Sequence, residues 1–281
     1  MCQFNPIGAT GPTRVRPTGS PPRTIDDMDQ FAVDPALVEA ARAARRVVVF
    51  SGAGMSAESG VPTFRDAQTG LWERYDPAEL ATPQAWESNR ALVWAWYQWR
   101  TGLVRRVQPN AGHRALATWA QQVPLTLVTQ NVDDLHERAG SEVAAHLHGS
   151  LFTPRCSVCA APYPSDGGLD VEPGGPVTPP TCASCGGDVR PGAVWFGEPL
   201  PEEAWTRAAD AVDACDLMVV VGTSAVVYPA AGLPLRAVES GATVVEINPE
   251  ATDLSALVHH YWRTTAAVGL PALVAALGGG R

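Results

Sequence analysis

The chain has 281 residues, of which 46% are hydrophobic and 17% charged, enough to bury one α/β core and carry a small insert. Its formal net charge of -9 excludes nucleic acid as a direct partner, since contacts to phosphates need a basic surface. No apolar run reaches the roughly 18 residues of a membrane-spanning helix, so a membrane is also excluded as a partner.

Residues 1–33 are predicted to form a disordered N-terminal extension. Prolines and glycines interrupt residues 1–24, and this stretch lacks the apolar segment of a signal peptide. The protein is therefore expected to be cytoplasmic.

A helix and a strand are predicted next. Asp34 and Pro35 favour the start of a helix over residues 36–45, with Asp34 as its N-cap. Residues 47–50 are all apolar and mostly β-branched, which predicts a buried parallel strand. Gly52-Ala53-Gly54-Met55-Ser56-Ala57 follows as a GxGxxA turn, whose glycines let the backbone approach a diphosphate near the N–H groups of the next helical turn. An ordinary strand-to-helix turn is the alternative interpretation of this pattern alone.

The helix that starts at this turn is predicted to be short. Gly60 and Pro62 stop it within about two turns, because proline lacks an N–H and clashes with the preceding turn. The chain continues as a loop with Thr63, Phe64 and Arg65, which indicates a lid over a bound nucleotide. The stretch GAGMSAESGVPTFRD resembles the NAD-binding signature of the sirtuins, the NAD-dependent protein deacylases. The resemblance implies that the turn and the loop bind NAD through Gly52, Ala53, Gly54, Ala57, Thr63, Phe64 and Arg65.

A helical insert is predicted over residues 67–108. Thr82 can cap a short helix from Pro83, and a longer helix covers residues 89–107, with tryptophans that are expected to pack in the core. Tyr97 and Arg100 lie three residues apart on one helix face, so a phenol O–H and a guanidinium can converge on one carboxylate. A surface arginine beside a core tyrosine is the alternative interpretation.

The Tyr-x-x-Arg pair also matches one sirtuin branch. In the branch that removes succinyl and malonyl groups, this pair binds the terminal carboxylate of the acyl group, and a small alanine lies in the acyl pocket. Ala81 matches that alanine. The resemblance thus implies selectivity for acidic acyl groups through Ala81, Tyr97 and Arg100.

Polar residues follow the next predicted strand. Residues 110–121 are predicted to be a helix, in which His113 is expected in a core or capping role, and residues 125–129 a parallel strand. The segment TQNVDDLH then lies at the carboxyl edge of the sheet, where open α/β folds bind ligands. It resembles the sirtuin TQNIDxLH element, which implies that Gln130 and Asn131 contact the nicotinamide-side ribose and Asp133 binds the carboxamide. Helix N-capping is the alternative role for these aspartates, and we assign it to Asp134.

One histidine is the candidate general base. An imidazole with a pKa near ~6.5 can hold or release a proton around neutral pH. A lone histidine would more often be structural. His148 in LHGS matches the catalytic element of the sirtuins, whereas His146 does not.

Two CxxC pairs predict a zinc site. Cys156 and Cys159 form the first pair, and Cys182 and Cys185 the second, in a spacing that is typical of tetrahedral Zn²⁺. Disulfides are the competing interpretation, disfavoured because the chain lacks a secretion signal. Four protein ligands leave no open coordination position, so one structural zinc ion per chain is expected. Cys2 and Cys215 lie outside this set and are expected to be free thiols.

The segment after the cysteines resembles the sirtuin VRPxVVWFGE motif. There an extended backbone pairs with the substrate peptide by strand addition. The resemblance implies a peptide-binding strand made of Val194, Trp195, Phe196, Gly197 and Glu198. Ala193 departs from the more usual valine.

The last predicted elements complete the sheet. Residues 201–215 and 272–277 are predicted helices, and residues 217–221 and 243–247 predicted strands. Gly222, Thr223 and Ser224 match the sirtuin GTS contact with the dinucleotide. Asn248 and Glu250, in INPE, match its contact with the adenosine ribose, and Ala266 aligns with a backbone contact to adenine.

These strands, at 47, 125, 217 and 243, alternate with helices and predict a Rossmann-like, doubly wound parallel sheet in the α/β class. The NAD-binding domain is assigned to residues 34–66, 109–150 and 196–281. The small domain combines the helical insert, 67–108, with the zinc module, 151–195. A monomer is expected.

The resemblance implies an NAD-dependent protein-lysine deacylase that removes succinyl, malonyl and acetyl groups. Nicotinamide and O-acyl-ADP-ribose would be its products, with His148 as general base and Asn131 orienting ribose and water. Acyl-lysine peptides would be the partners. A plain deacetylase, a mono-ADP-ribosyltransferase and a catalytically silent NAD-binding module are the alternatives.

Overall fold

The computed structural model describes residues 33–62, 75–164 and 175–278. The described strands are β1 (Val47–Ser51), β2 (Leu125–Thr129), β3 (Val143–His146), β4 (Arg155–Cys156), β5 (Val189–Arg190), β6 (Leu217–Val221), β7 (Thr243–Ile247) and β8 (His260–Trp262). The described α-helices are α1 (Pro35–Ala43), α2 (Gly54–Ala57), α3 (Pro77–Leu80), α4 (Pro83–Ser88), α5 (Arg90–Arg106), α6 (Ala111–Trp119), α7 (Leu135–Arg138), α8 (Glu202–Ala214), α9 (Leu233–Glu239) and α10 (Ala266–Gly278), with a 3-10 turn at Ala230–Gly232. Within these ranges no helix has the length and apolarity needed to cross a membrane.

The main sheet is parallel and has six strands in the order β3-β2-β1-β6-β7-β8. The predicted doubly wound α/β fold is confirmed, and the bounds predicted for β2, β6 and β7 agree with the structure. Two strands of this sheet, β3 and β8, were not predicted from the sequence. Both are edge strands, and both are only partly buried, so neither forms the continuous apolar run of a central strand.

Both faces of the sheet are covered, which explains why the central strands β1 and β6 are almost entirely apolar. Val47 and Val49 face a core that includes residues of α1, α6 and α10. Val48 and Phe50 face the opposite core, which includes residues of α8 and α9. Because successive strand residues point to opposite faces, every position of β1 is buried.

A third core lies outside the sheet. It joins tryptophans of the helical insert, among them Trp86 and Trp96, to Leu151, Val189 and Trp195 from the segment that carries the cysteines. Trp96 and Trp195 are among the largest fully buried side chains of the described chain. The insert and the cysteine segment therefore pack as one unit around a shared core.

Several helix ends follow their predicted caps. The Asp34 side chain accepts a hydrogen bond from Ala36 N at 2.8 Å, and Thr82 Oγ1 accepts one from Ala85 N at 3.1 Å. His113 forms a capping box with Asn110, which confirms its capping role.

Two predictions of helix ends were wrong. The last helix begins at Ala266, not at residue 272, and continues through Pro271. In addition, Asp133 caps α7: its Oδ1 accepts a hydrogen bond from Leu135 N at 3.1 Å, whereas the Asp134 side chain makes no capping bond. Asp134 instead pairs with Arg138 at 3.6 Å, one helical turn away.

Candidate active site

Two glycine turns meet at the carboxyl ends of β1 and β6. Gly52 N donates to Val221 O at 2.9 Å, and Gly54 N donates to Gly222 O at 2.8 Å. A Cβ atom at Gly54 would lie 2.8 Å from the Gly222 Cα, and Gly222 has a φ of +59°. These glycines are therefore required by the packing of one turn against the other, a reason that the GxGxxA pattern did not show.

A cavity of about 830 Å³ opens above these turns, within the ~300–1,000 Å³ range of ligand sites. It lies between the carboxyl edge of the sheet and the unit formed by the insert and the cysteine segment. Most of the site residues that the sequence predicted line it: Gly52, Ala53, Gly54, Ala81, Tyr97, Arg100, Gln130, Asn131, Asp133, His148, Val194, Trp195, Phe196, Gly222, Thr223, Ser224, Asn248 and Glu250.

Other predicted site residues lie elsewhere. Ala57, Gly197, Glu198 and Ala266 are not among the residues that line the cavity. Ala266 is 3% exposed and packs in the core under the sheet. Thr63, Phe64 and Arg65, the predicted lid, lie outside the described residues, as does Cys2.

The floor of the cavity is a chain of hydrogen bonds through Ser56. Ser56 Oγ donates to Asp133 Oδ2 at 2.9 Å, and Asn131 Nδ2 donates to Ser56 Oγ at 3.3 Å. Burial raises the pKa of Asp133, while its bonds from Leu135 N and Ser56 act in the opposite direction. The sequence indicates no role for Ser56, because only the fold brings it beside Asn131 and Asp133.

His148 faces the cavity two residues beyond β3. Burial lowers the pKa of its imidazole to about 4, although a hydrogen bond to the Gln130 backbone acts in the opposite direction. The ring is therefore neutral at pH 7. Its Nε2 is buried and has no hydrogen-bond partner among the described residues. With the proton on Nδ1, held by the Gln130 backbone, Nε2 presents a lone pair that can accept a proton.

A second set of contacts shapes the end of the cavity beside β7. Gln130 Nε2 donates to Thr223 Oγ1 at 2.9 Å, and Asn248 Nδ2 donates to Thr223 O at 2.8 Å. Glu246 is fully buried and accepts a hydrogen bond from Thr252 Oγ1 at 2.7 Å. These bonds fix the loop after β7, which carries Asn248 and Glu250 to the cavity.

The opposite end carries a phenol and a guanidinium on α5. Tyr97 is 4% exposed, and burial raises the pKa of its hydroxyl, which therefore stays protonated at neutral pH. Burial lowers the pKa of Arg100, while Tyr97 and Asp133 act in the opposite direction. The Arg100 guanidinium lies 5.1 Å from the centre of the Trp96 ring. Together with Ala81, this end offers a donor pair beside a small side chain.

Residues 193–196 form part of the cavity wall, and Glu198 supports this segment from outside the cavity. Val194 N donates to His148 O at 2.8 Å, and Phe196 N donates to Ala81 O at 2.9 Å. The Glu198 carboxylate accepts two bonds from Arg190, at 2.6 and 2.9 Å, and one from Trp195 N at 2.9 Å. Glu198 thus stabilises the conformation of this segment through hydrogen bonds to other residues of the same chain.

The four predicted zinc ligands come together in the small unit, which is the unit formed by the helical insert and the cysteine segment. Their Sγ atoms all lie within 4.8 Å of one another, with 3.4 Å between Cys156 and Cys185 and 3.7 Å between Cys159 and Cys182. Tetrahedral zinc with Zn–S bonds of about 2.3 Å places its sulfur atoms about 3.8 Å apart, so the cluster fits this metal. Backbone N–H groups of Cys159 and Val158 lower the pKa of the Cys156 thiol to about 6, which favours the thiolate that binds metal. Cys215 is a free, buried thiol.

Comparisons with known proteins agree with this geometry. Residues 52–229 match the Sir2 family. The chain is 57% identical over 229 residues to an NAD-dependent protein deacylase of Mycolicibacterium paratuberculosis, covering 82% of this chain and 96% of that protein. It is 50% identical over 254 residues to NAD-dependent protein deacylase 2 of Corynebacterium efficiens, covering 89% and 100%. A crystal structure of a Sir2 homologue in complex with NAD superposes with a TM-score of 0.80 at 44% identity, covering 87% of this chain and 94% of that one.

Proposed function

Because this chain belongs to the Sir2 family, we propose that it is an NAD-dependent protein-lysine deacylase with a preference for succinyl and malonyl groups. The observation that carries the preference is the position of Tyr97, Arg100 and Ala81 on the wall of the same cavity that holds His148 and Asn131. The family and the relatives support the deacylase activity. The acyl preference rests on the chemistry of the Tyr97 and Arg100 donors.

The residues around the cavity fit NAD. The Nε2 atom of His148 is a buried polar atom without a partner among the described residues, and the cavity has the volume of a ligand site. Gln130, Asn131 and Asp133 would hold the nicotinamide side, and Thr223, Asn248 and Glu250 the adenosine side. When bound, NAD supplies a ribose carbon that reacts as nicotinamide leaves.

The protein contributes binding, orientation and a base. Asn131 has its amide tethered to Ser56 at 3.3 Å, and we assign it the orientation of the ribose and a water molecule. His148, neutral at pH 7, would accept a proton from a ribose hydroxyl at Nε2. The segment 193–198 would place the acylated lysine in the cavity, with its acyl carboxylate between Tyr97 and Arg100. A monomer in the cytoplasm, and the division into two domains, stay predictions from the sequence.

The experiment is a panel of matched peptides with succinyl-, malonyl- and acetyl-lysine, incubated with NAD and analysed by mass spectrometry. We expect release of nicotinamide and formation of the deacylated peptide and O-acyl-ADP-ribose. The kcat/KM should be higher for the succinyl and malonyl peptides than for the acetyl peptide. His148→Tyr should abolish these products while leaving the fold intact by circular dichroism. The enzyme contains no lysine, so the acyl-lysine that reacts is that of the peptide.

Different products would indicate a different function. Equal rates on all three peptides, or faster acetyl removal, would indicate a plain deacetylase. Transfer of ADP-ribose to the peptide would indicate a mono-ADP-ribosyltransferase, and NAD binding without nicotinamide release would indicate a silent binding module.

A further inference from the structure

Directly behind Asn131, outside the cavity, lies a pair formed by His146 and Glu137. His146 is the last residue of β3, and its Nδ1 lies 3.1 Å from the Asn131 carbonyl oxygen. Its Nε2 lies 2.6 Å from Oε1 of Glu137 on α7. Neither residue lines the cavity, so neither can touch a molecule bound there.

The two contacts define where the protons are. A carbonyl oxygen only accepts hydrogen bonds, so Nδ1 of His146 must carry a proton to bind Asn131. An ionised Glu137 also only accepts, so Nε2 must carry a proton as well. Both bonds exist together when His146 is the doubly protonated imidazolium. A neutral ring would turn a lone pair either to the carbonyl or to the carboxylate.

These bonds hold the Asn131 backbone from two sides. The Asn131 N–H donates to Thr129 Oγ1 at 3.0 Å, while its carbonyl accepts from His146. Thr129 and His146 are partners in the register of β2 and β3, which fixes the distance between the two anchors. The direction of the Asn131 side chain into the cavity follows from the plane of this backbone.

We propose that His146 and Glu137 are positioning residues for the reaction: Glu137 orients an imidazolium whose Nδ1–H fixes the Asn131 backbone and thereby aims its side-chain amide. This inference rests on the deacylase activity proposed above. It predicts that the reaction depends on the protonated form of a group that lies outside the cavity.

The surroundings of His146 support the charged form. Burial lowers its pKa, but the hydrogen bond and charge of Glu137, the Asn131 carbonyl and the charge of Asp133 outweigh it, so the pKa is raised from 6.5. His136 on α7 is buried, and its pKa is lowered well below 6.5, so it adds no positive charge at neutral pH. Helix α8 packs on β3, and the residues that it contributes to the core beside β3 are apolar, so they add no charge there.

Two substitutions at position 146 separate positioning from packing. His146→Leu removes the donor, and we expect kcat for nicotinamide release to fall about 10- to 100-fold with a smaller change in the KM for NAD. His146→Asn places an amide N–H near the position of Nδ1 and should recover most of this loss. His260→Leu is the matched control. The Nδ1 atom of His260 also lies near a carboxylate, 3.6 Å from Oδ2 of Asp34, but His260 does not line the cavity.

The pH profile gives a second readout. In the wild type, kcat should fall on the alkaline side as His146 loses its proton, at a pH above the ordinary value of about 6.5. Glu137→Gln removes the carboxylate that raises this pKa, so the fall should move to lower pH. The His146→Asn variant has no imidazole at this position, so its kcat should not show this alkaline fall. In the cofactor-free protein, ¹⁵N NMR should show both His146 ring nitrogens protonated at pH 6.5.

The outcomes are distinguishable. A wild type that releases no nicotinamide would overturn the proposed activity and this role with it. An active wild type with unchanged kcat in His146→Leu would overturn the positioning role alone. So would a His146→Asn enzyme as impaired as His146→Leu, or a His146 ring that is neutral at pH 6.5.

Discussion

Replacement of Arg100 by methionine should remove activity on succinyl-lysine and spare activity on acetyl-lysine. Arg100 lines the cavity beside Tyr97, and its guanidinium packs on the Trp96 ring at 5.1 Å. Methionine keeps an unbranched apolar side chain of similar length against this ring, so the packing is largely kept. The charge and the fork of N–H donors are lost.

The expected loss in kcat/KM follows from the burial of the Arg100 guanidinium and of the acyl carboxylate that it would bind. Removing one partner of a buried, hydrogen-bonded charge pair costs about 2–4 kcal/mol, which corresponds to about 30- to 1,000-fold in kcat/KM. An acetyl group has no carboxylate, so its kcat/KM should change by less than about 1 kcal/mol, or about fivefold. Tyr97→Phe removes one hydrogen bond from a neutral donor to the charged carboxylate and should cost the succinyl peptide about 1.5–3 kcal/mol.

The assay compares kcat/KM for two peptides that differ only in the acyl group, at saturating NAD. Arg105→Met is the control on the same helix: the Arg105 guanidinium lies 5.1 Å from the centre of the Phe152 ring, and Arg105 does not line the cavity. It should leave the ratio of the two kcat/KM values unchanged. If Arg100→Met lowers both peptides by the same factor, the guanidinium does not bind the acyl carboxylate and the reasoning is wrong.

Three further predictions concern metal and stability. Cys156→Ser should release the one zinc ion expected per chain, measured by elemental analysis, and unfold the small unit; a folded, metal-free variant would show that the cysteines have another role. Burial lowers the pKa values of His113 and His148 to about 4, so each histidine takes up a proton on unfolding between pH 6.5 and pH 4. As the pH falls through this range, the free energy of unfolding should fall by up to about 1.4 kcal/mol per pH unit for each histidine. Urea titrations that show no such fall would contradict the burial of these two histidines in the neutral form. Glu58 Oε2 accepts a hydrogen bond from Ala267 N at 3.0 Å in the first turn of α10, so Glu58→Ala should lower the free energy of unfolding by about 1 kcal/mol, whereas Glu58→Gln, which keeps the acceptor, should lower it less.

Much of the fold could be predicted because its central strands carry their signal locally. The strands β1 and β6 are buried on both faces, so each contains a run of at least four apolar residues that can be identified without knowledge of its partner strands. The edge strands β3 and β8 are short and partly exposed, and β3 ends in His146, whose bonds to Asn131 and Glu137 depend on the fold. No pattern in the sequence indicates them.

The site shows the same division. Residues within one motif, such as Gln130, Asn131 and Asp133, were predicted together and line one cavity. Contacts between motifs were not predicted: the bridge from Asn131 through Ser56 to Asp133 joins residues 75 and 77 positions apart. Likewise Glu198 was assigned to the peptide from its motif, while its carboxylate binds Arg190. Such pairings require the register of the sheet and the path of the loops.

The topology explains why the cavity has two walls of different origin. From β1 the chain moves outward through β2 to β3, and then returns to β6 on the other side of β1, so the carboxyl ends of β1 and β6 form the switch point where open parallel sheets bind ligands. The two long connections, after β1 and after β3, both leave from this same edge. They share one core, in which Trp96 of the first connection and Trp195 of the second are both fully buried. The shared core lies over the switch point, so that Arg100 from one connection and Thr223 from the turn after β6 line the same cavity.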